Sequence, residues 1–453
     1  MKHYSMLSLL RRPLAAAVLT LAASVALAMP AAQAMQIQRV ISPGGIEAWL
    51  VREPSIPLVA LEFTFRGGAA QDPADRPGVA NLVADTIDEG SGDLDSSGFH
   101  EELEKRAIEL SFQASQDYFR GTLRTLNEQR DKAFDLLRLS LNAPRFDTEP
   151  VERIRAMILS NLRRDTTVPE EVSSRRWWAA AFPGHAYGRH VHGTLESVAN
   201  ITVDDLRAYT RRVFARDHLK IAVVGDIDAT TVGILLDKVF GSLPAKAELA
   251  PIPTASPQGL GRRIVIPLDV PQAAVTFGGP GIARSDPDFM AAYMVNHILG
   301  GGSFSSRLYQ EVREKRGLAY GVHDSLVWLK HTSLLLGATA TRSDRTAEAL
   351  QIIEHEIRRL AETGPTAEEI AKAKAYLKGS YVLGLDTSTK IANQLVQIQN
   401  DDLGIDYIAR RGGLIDAVTL DDARRVAKRL LDGGLLVTVV GKPLGLSSTD
   451  NGG

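Results

Sequence analysis

The feature that most constrains this 453-residue chain is that it is written twice. The segment ITVDDLRAYTRRVFARDHLKIAVVGD, from Ile201, corresponds to VTLDDARRVAKRLLDGGLLVTVVGKP, from Val418, and places Val223 and Val439 216 residues apart. A second pair, VALEFTFRGGAAQDPADRPG from Val59 and AAVTFGGPGIARSDPD from Ala273, places Pro73 and Pro287 214 apart. Two segments sharing nearly one offset imply two copies of a large unit, not a short-period solenoid. A single hydrophobic core stops growing near ~250–300 residues, so two lobes are expected on length as well. Each copy of the first pair reads as a helix capped by Thr or Asp, then a turn and a β-branched strand ending at Gly. Strand pairs such as VALEFTFRG and LSFQASQDYFRGTLR stand beside amphipathic helices such as EQRDKAFDLLRLSLNA and TAEALQIIEHEIRRLAE. That mixture predicts α+β lobes, each a mainly antiparallel sheet packed with helices.

The expected boundaries follow from composition. Lys2, Arg11 and Arg12 precede the uncharged run LAAAVLTLAASVALA, from Leu14 to Ala28, and Ala32, Gln33 and Ala34 supply a small-residue cleavage signal. Residues 1–34 therefore read as a signal peptide cut after Ala34, the apolar run being short of the ~20 residues a membrane span needs. Pro13 directly after the Arg pair favours ordinary export over a twin-arginine route. An N-terminal lobe is expected over residues 35–242. The Pro-, Ala- and Gly-rich stretch LPAKAELAPIPTASPQGLG makes residues 243–261 an interlobe linker. A C-terminal lobe follows over 262–445, then a disordered tail over 446–453.

Cysteine is absent from the chain. That excludes disulfides, thiol nucleophiles, zinc ribbons and N-terminal lipidation at Cys. Of 52 Lys and Arg against 54 Asp and Glu, cleavage at Ala34 removes three cations and no anion. The mature charge of −5 argues against a nucleic-acid partner. A periplasmic or otherwise exported protein fits these features.

Three segments carry a family resemblance. DPADRPGVANLVADTIDEGSGDLD from Asp72, HAYGRHVHGTLESVANITVDDL from His185 and FSSRLYQEVREKRGLAYGV from Phe304 resemble those of pitrilysin/insulinase-type metallopeptidases, which include the mitochondrial processing peptidase. With the duplication, the likeness spans essentially the whole mature chain. Active members carry an inverted HxxEH motif, two His ligands four apart on one helix face with a Glu between them as general base. The spacing lets both imidazoles reach one zinc ion while the carboxylate faces its bound water. Here the stretch is NLVAD: Asn81 and Asp85 stand at the His positions and Ala84 at the Glu position. The family's third ligand is a Glu in a stretch resembling VERIRAMILSNLRRD, where the nearest equivalents are Ser160 and Asn161. The resemblance thus implies a degenerate site at Asn81, Ala84, Asp85 and Asn161, with no metal bound by this chain and no base beside a metal-bound water.

Other histidines do not rebuild a site. His100 and Glu101 begin HEELE, but Glu104 stands where an HExxH helix needs its second His. Glu354 and His355 imitate the end of HxxEH, but Gln351 stands at its start. His190 and His192 flank one residue in a loop-like stretch and read as packing or surface residues.

The second lobe keeps what the family uses to complete its site from the opposite side: an Arg at a helix end, Arg313, and a Tyr seven residues later, Tyr320. By the resemblance, this pair binds substrate and donates hydrogen bonds to the oxyanion that forms during peptide-bond attack. By spacing alone, Arg313 is a last-turn cation complementing a helix dipole and Tyr320 a half-buried strand aromatic. The run Gly300, Gly301, Gly302, then Ser303 lacks the ending of a phosphate-binding loop and reads as a hinge before the Arg helix.

The expectation is a non-catalytic, substrate-binding subunit of a heterodimeric periplasmic zinc peptidase. Its partner would be an exported HxxEH-bearing homologue that carries the zinc, and peptides would be the substrate. A peptidase-derived binding or assembly protein is the alternative reading, and an active peptidase with a non-standard metal site ranks behind both.

Overall fold

In the computed structural model of the protein, residues 35–449 are described; the expected signal peptide and residues 450–453 lie outside them. Two sheets form. The first contains β1 (Ile37–Ile41), β2 (Glu47–Arg52), β3 (Leu58–Arg66), β4 (Glu109–Ala114), β5 (Tyr118–Leu126) and β6 (Lys220–Gly225), in the order β1-β2-β6-β3-β5-β4. The second contains β7 (Arg263–Ile266), β8 (Gln272–Pro280), β9 (Ala319–Trp328), β10 (Ser333–Arg342) and β11 (Leu436–Val440), in the order β7-β11-β8-β10-β9. Each sheet has one parallel neighbour pair, β2 with β6 and β7 with β11, and every other pair is antiparallel. The duplicated α+β architecture read from the sequence is thus the one the chain adopts. Both expected caps form: Thr202 with Asp205 and Thr419 with Asp422 make capping boxes that open the helices Val203–Val213 and Leu420–Leu431.

The central strands are buried along nearly their whole length, which an antiparallel sheet with one wet face would not show. The cause is a reciprocal exchange of helices between the lobes. On β3, Val59, Leu61, Phe63 and Phe65 enter the core of the first lobe. On its opposite face, Thr64 Oγ1 donates to Asn400 Oδ1 of the helix Ser388–Asn400 at 3.1 Å, and Gln399 Nε2 of that helix donates to the carbonyl of Ile221 in β6 at 2.9 Å. On β8, Ala273, Val275 and Phe277 enter the core of the second lobe. Thr276 faces the helix Pro169–Ala181, where Ser173 Oγ lies 2.9 Å from its hydroxyl and Trp177 Nε1 donates to Leu436 O at 2.9 Å. Gly278 makes room for this: a Cβ there would stand 2.8 Å from the Trp177 ring. Lobes drawn along the chain as 35–242 and 262–445 therefore cut across the packing, because each lends the other a helix.

The linker 243–261 has no regular element but is pinned. Gln71 exchanges two hydrogen bonds with Ala250, of 3.0 and 2.7 Å, and Gln258 N donates to Ala181 O at 2.8 Å. The tail corrects its expectation in part. Leu446 packs against the second core, Ser448 Oγ accepts from Val265 N at 2.9 Å, and Thr449 N donates to Arg263 O at 3.0 Å. β7 is an edge strand, and its unpaired backbone groups supply the partners that hold the chain as far as residue 449. Among the described residues no helix is long and apolar enough to cross a membrane.

Candidate functional site

The helix Val79–Thr86 carries the first half of the candidate site. Asp72 caps its start, accepting from Gly78 N at 2.7 Å and Ala80 N at 2.9 Å. Burial drives the Asp72 carboxyl up to about 7, against the pull of those N–H groups and of Arg189. One face of the helix, with Ala80, Leu82, Val83 and Ala84, is in the core. Asn81 and Asp85, four apart and so on one face, open instead into a cavity of about 530 Å³. Asn81 Nδ2 donates to Asp85 Oδ2 at 2.9 Å. Burial raises the Asp85 carboxyl above its ordinary range, opposed by His192 and by that amide.

Asn161, on the helix Thr148–Asp165, lines the same cavity, whereas Ser160 is exposed and does not. The three positions read as degenerate ligand sites are thus brought together, and Ala84, at the position of the family's general base, is packed away at 3% exposure. The donor set does not fit zinc. The three family positions offer one carboxylate already bonded to a neighbouring amide, two neutral amides and no base aimed at a bound water. Among the described residues, no group of three or more His, Cys, Asp or Glu side chains is placed to hold a metal.

His192 and Asp165 complete the lining, and sequence reasoning missed both. His192 arrives because Gly193, at φ 74°, passes so close to the start of the helix that a Cβ would meet Pro77 O at 2.3 Å. Glycine at that position was the only local signal. His190 is turned inward instead; burial, then Arg175 and His192, lowers its imidazole to about 4.

The second lobe holds the other half. Arg313 lies in a π-helical turn, Tyr309–Glu314, and Tyr320 is the second residue of β9. The guanidinium stacks over two rings, 4.9 Å from the centroid of Tyr309 and 4.6 Å from that of Tyr320, and donates to the Tyr309 hydroxyl. Tyr320 is 86% exposed, contrary to its half-buried reading by spacing alone, so its phenol is free to meet a ligand. Two stacked contacts fix the Arg fork while leaving donors available.

The glycine run is no hinge. The helix Phe289–Asn296 continues through a π turn, His297–Gly301, which brings Gly300 against the buried Asp324 of β9. Asn296 Nδ2 adds a 2.6 Å bond to the same side chain. A Cβ on Gly300 would stand 2.7 Å from Asp324 Oδ1, which explains glycine there as close packing against the strand that bears Tyr320. Burial holds the Asp324 carboxyl far above its ordinary range.

Chemically, this arrangement can hold an extended chain and polarise a carbonyl, but it cannot activate water through a metal. β4, which flanks the first cavity through Ser111, Phe112 and Gln113, and β9, which carries Tyr320, are both terminal strands of their sheets. Each offers unpaired backbone groups to a peptide strand.

Comparison with known proteins gives the family of both halves. Residues 49–195 match the family described as insulinase (peptidase family M16), and residues 200–377 match the peptidase M16 inactive domain. An uncharacterised zinc protease of Streptomyces coelicolor is 28% identical over 414 residues, 89% of each chain. A non-peptidase homologue, YmxG of Helicobacter pylori, is 27% identical over 340 residues, 75% of this chain and 78% of that one. In three dimensions, the peptidase M16 inactive domain from Pseudomonas fluorescens superposes with a TM-score of 0.85 at 24% identity, covering 91% of this chain and 99% of that one.

Proposed function

Because the chain belongs to peptidase family M16, the insulinase family, and lacks that family's catalytic site, we propose that it is the non-catalytic, substrate-binding subunit of a zinc peptidase. It acts in the periplasm beside an exported homologue that carries HxxEH and the zinc, and the pair degrades or processes peptides. The observation that carries this reading is the asymmetry of what was kept. The water-activating set at Asn81, Ala84 and Asp85 is gone, while Arg313 and the exposed Tyr320 remain aligned as a pair of donors. A binding protein with no link to hydrolysis has no evident use for oxyanion donors.

The test is reconstitution with an HxxEH-bearing homologue of the same cell. Arg313→Ala and Tyr320→Phe should each lower kcat by ~10²–10³, the cost of removing one oxyanion donor, with complex formation intact. An unchanged rate in both variants would leave the second reading, a peptidase-derived binding or assembly protein, in possession. The naming of the Helicobacter pylori relative as a non-peptidase homologue favours that second reading.

A further inference from the structure

A cleft of about 870 Å³ lies between the two lobes. Its walls come from the β4–β5 hairpin on one side and from the end of β9 and the helices Ser388–Asn400 and Tyr407–Ala417 on the other. One residue links it to the candidate site: Gln113 of β4 lines both the cavity of Asn81 and Asp85 and this cleft. Ser111 faces only the former and Ser115 only the latter. The open edge of one strand therefore runs from the degenerate site into the cleft.

The charged groups of the cleft are already engaged. Arg284 lies 4.2 Å over the Phe289 ring, donates to the Tyr407 hydroxyl at 2.7 Å and stands 3.7 Å from Asp401. Asp401 accepts from Trp328 Nε1 at 3.2 Å and Gln397 Nε2 at 3.1 Å. Arg120 is paired with Glu62, Arg410 with Asp406 and Asp286 with Arg429. Lys330 Nζ donates to Asn400 O and stands 3.9 Å from Asp402, while Asp117 accepts from the Tyr187 hydroxyl and Lys330 N. The apolar groups left to meet a ligand are Tyr118, Met290, Trp328, Leu403 and Leu414, and the uncharged polar ones beside them are Gln113, Ser115, Ser285 and Ser333.

We propose that this cleft is a side-chain subsite of the peptide channel, taking a bulky aromatic or aliphatic residue of a peptide laid along β4. The inference rests on the peptide-binding reading above and adds the residue class that the peptide must carry. A strand advances about 3.3 Å per residue, so Ser111 and Ser115 are roughly 13 Å apart and a peptide of about six to eight residues spans both cavities. Alternate side chains of an added strand point to one face, so the selected residue falls an even number of positions from the one over Asn81 and Asp85.

The experiment uses the purified full chain and fluorescein-labelled alanine-based octapeptides read by fluorescence polarisation. One position at a time is replaced by Phe, Leu, Glu or Lys. Phe or Leu at one register should tighten binding by about tenfold or more over Ala, with no gain from Glu or Lys. Methylating alternate backbone nitrogens of the peptide should abolish binding. Leu414→Trp, which fills the cleft from an already 38%-exposed position, should erase the preference while leaving the all-alanine peptide bound as before. Leu403→Trp, from a different segment, should do the same and covers a folding failure of the first variant. Binding that is sensitive to methylation but shows no side-chain preference, or a preference that survives both Trp variants, overturns the subsite and spares peptide binding. No binding by any peptide overturns both.

Discussion

The two lobes share one frame and have spent it differently. Counted from the first residue of each helix, Asn81, Ala84 and Asp85 of Val79–Thr86 fall opposite Ala291, Met294 and Val295 of Phe289–Asn296. The first set keeps two polar groups facing a cavity, while all three residues of the second set are buried in the core. The reverse holds one element later. KRAIEL, from Lys105, matches KRGLAY, from Lys315, so Arg313 falls opposite the buried Leu103 and Tyr320 opposite Leu110. Each lobe has turned into packing what the other exposes to a ligand. A duplicated fold can thus divide a two-sided site without altering its sheet order.

The strongest way to break that comparison is to graft ligands onto both frames. Asn81→His with Asp85→His and Asn161→Glu puts three metal ligands around an existing cavity, and the variant should take up about one zinc per chain by metal analysis. Ala291→His with Val295→His buries two imidazoles in a filled core and should cost more than ~4 kcal/mol, leaving the chain unfolded in far-UV circular dichroism. If both grafts fold equally well, the lobes are not differentiated as described.

The next effect tests whether the lobes are separable at all. Trp177 is fully buried in a cluster that joins the two lobes, and Trp177→Ala should cost ~3–5 kcal/mol. Because of the exchanged helices, unfolding followed by fluorescence and by circular dichroism should stay a single coincident transition. Two separate transitions would sink the interlocked picture.

A smaller effect comes from acid. An unfolded His titrates near ~6.5, but folded His190 is held at about 4. On acidification the unfolded chain binds that proton first, so the His190 contribution is complete above ~6.5 and is lost toward pH 4. Asp72, held at about 7, has the opposite sign: its contribution is greatest near pH 4 and declines as pH rises to about 7. The two slopes oppose one another in the intact protein. His190→Asn should unmask the Asp72 slope and raise stability at pH 4.5 by on the order of 2 kcal/mol relative to pH 7.5, read from urea melts. Parallel profiles for the two proteins would dismiss His190 as the source.

The smallest effect is in the backbone. Ala107 and Gly317 occupy matching left-handed turns, at φ 50° and 59°. Gly317→Ala has open space around its new Cβ, so its cost should be the backbone term alone, ~1 kcal/mol. Ala107→Gly should gain up to ~0.5 kcal/mol. A larger loss at Gly317 would point to a contact that the isolated chain does not make.

Much of this was legible in the sequence. The duplication and the Thr caps follow from local pattern, and Arg313 and Tyr320 are placed by the motif that carries them. The helix exchange left no local trace, because a helix is amphipathic in the same way whichever sheet it covers; only the continuous burial of β3 and β8 betrays it. His192 joins the cavity through a close approach of Gly193 to Pro77, more than one hundred residues back in the chain. The glycine run reads as a hinge in the sequence because three glycines look alike whether they free a backbone or let it press against a buried carboxyl such as Asp324.

The reciprocal loan of helices also sets a schedule for biosynthesis. β6 ends at Gly225, yet the helix that covers its second face ends only at Asn400, so 175 further residues must be made before the first sheet is sealed. At ~5–20 residues per second that is a wait of about 10–35 s with one face of the sheet bare. A chain built this way leaves its first sheet unfinished until most of its residues have emerged.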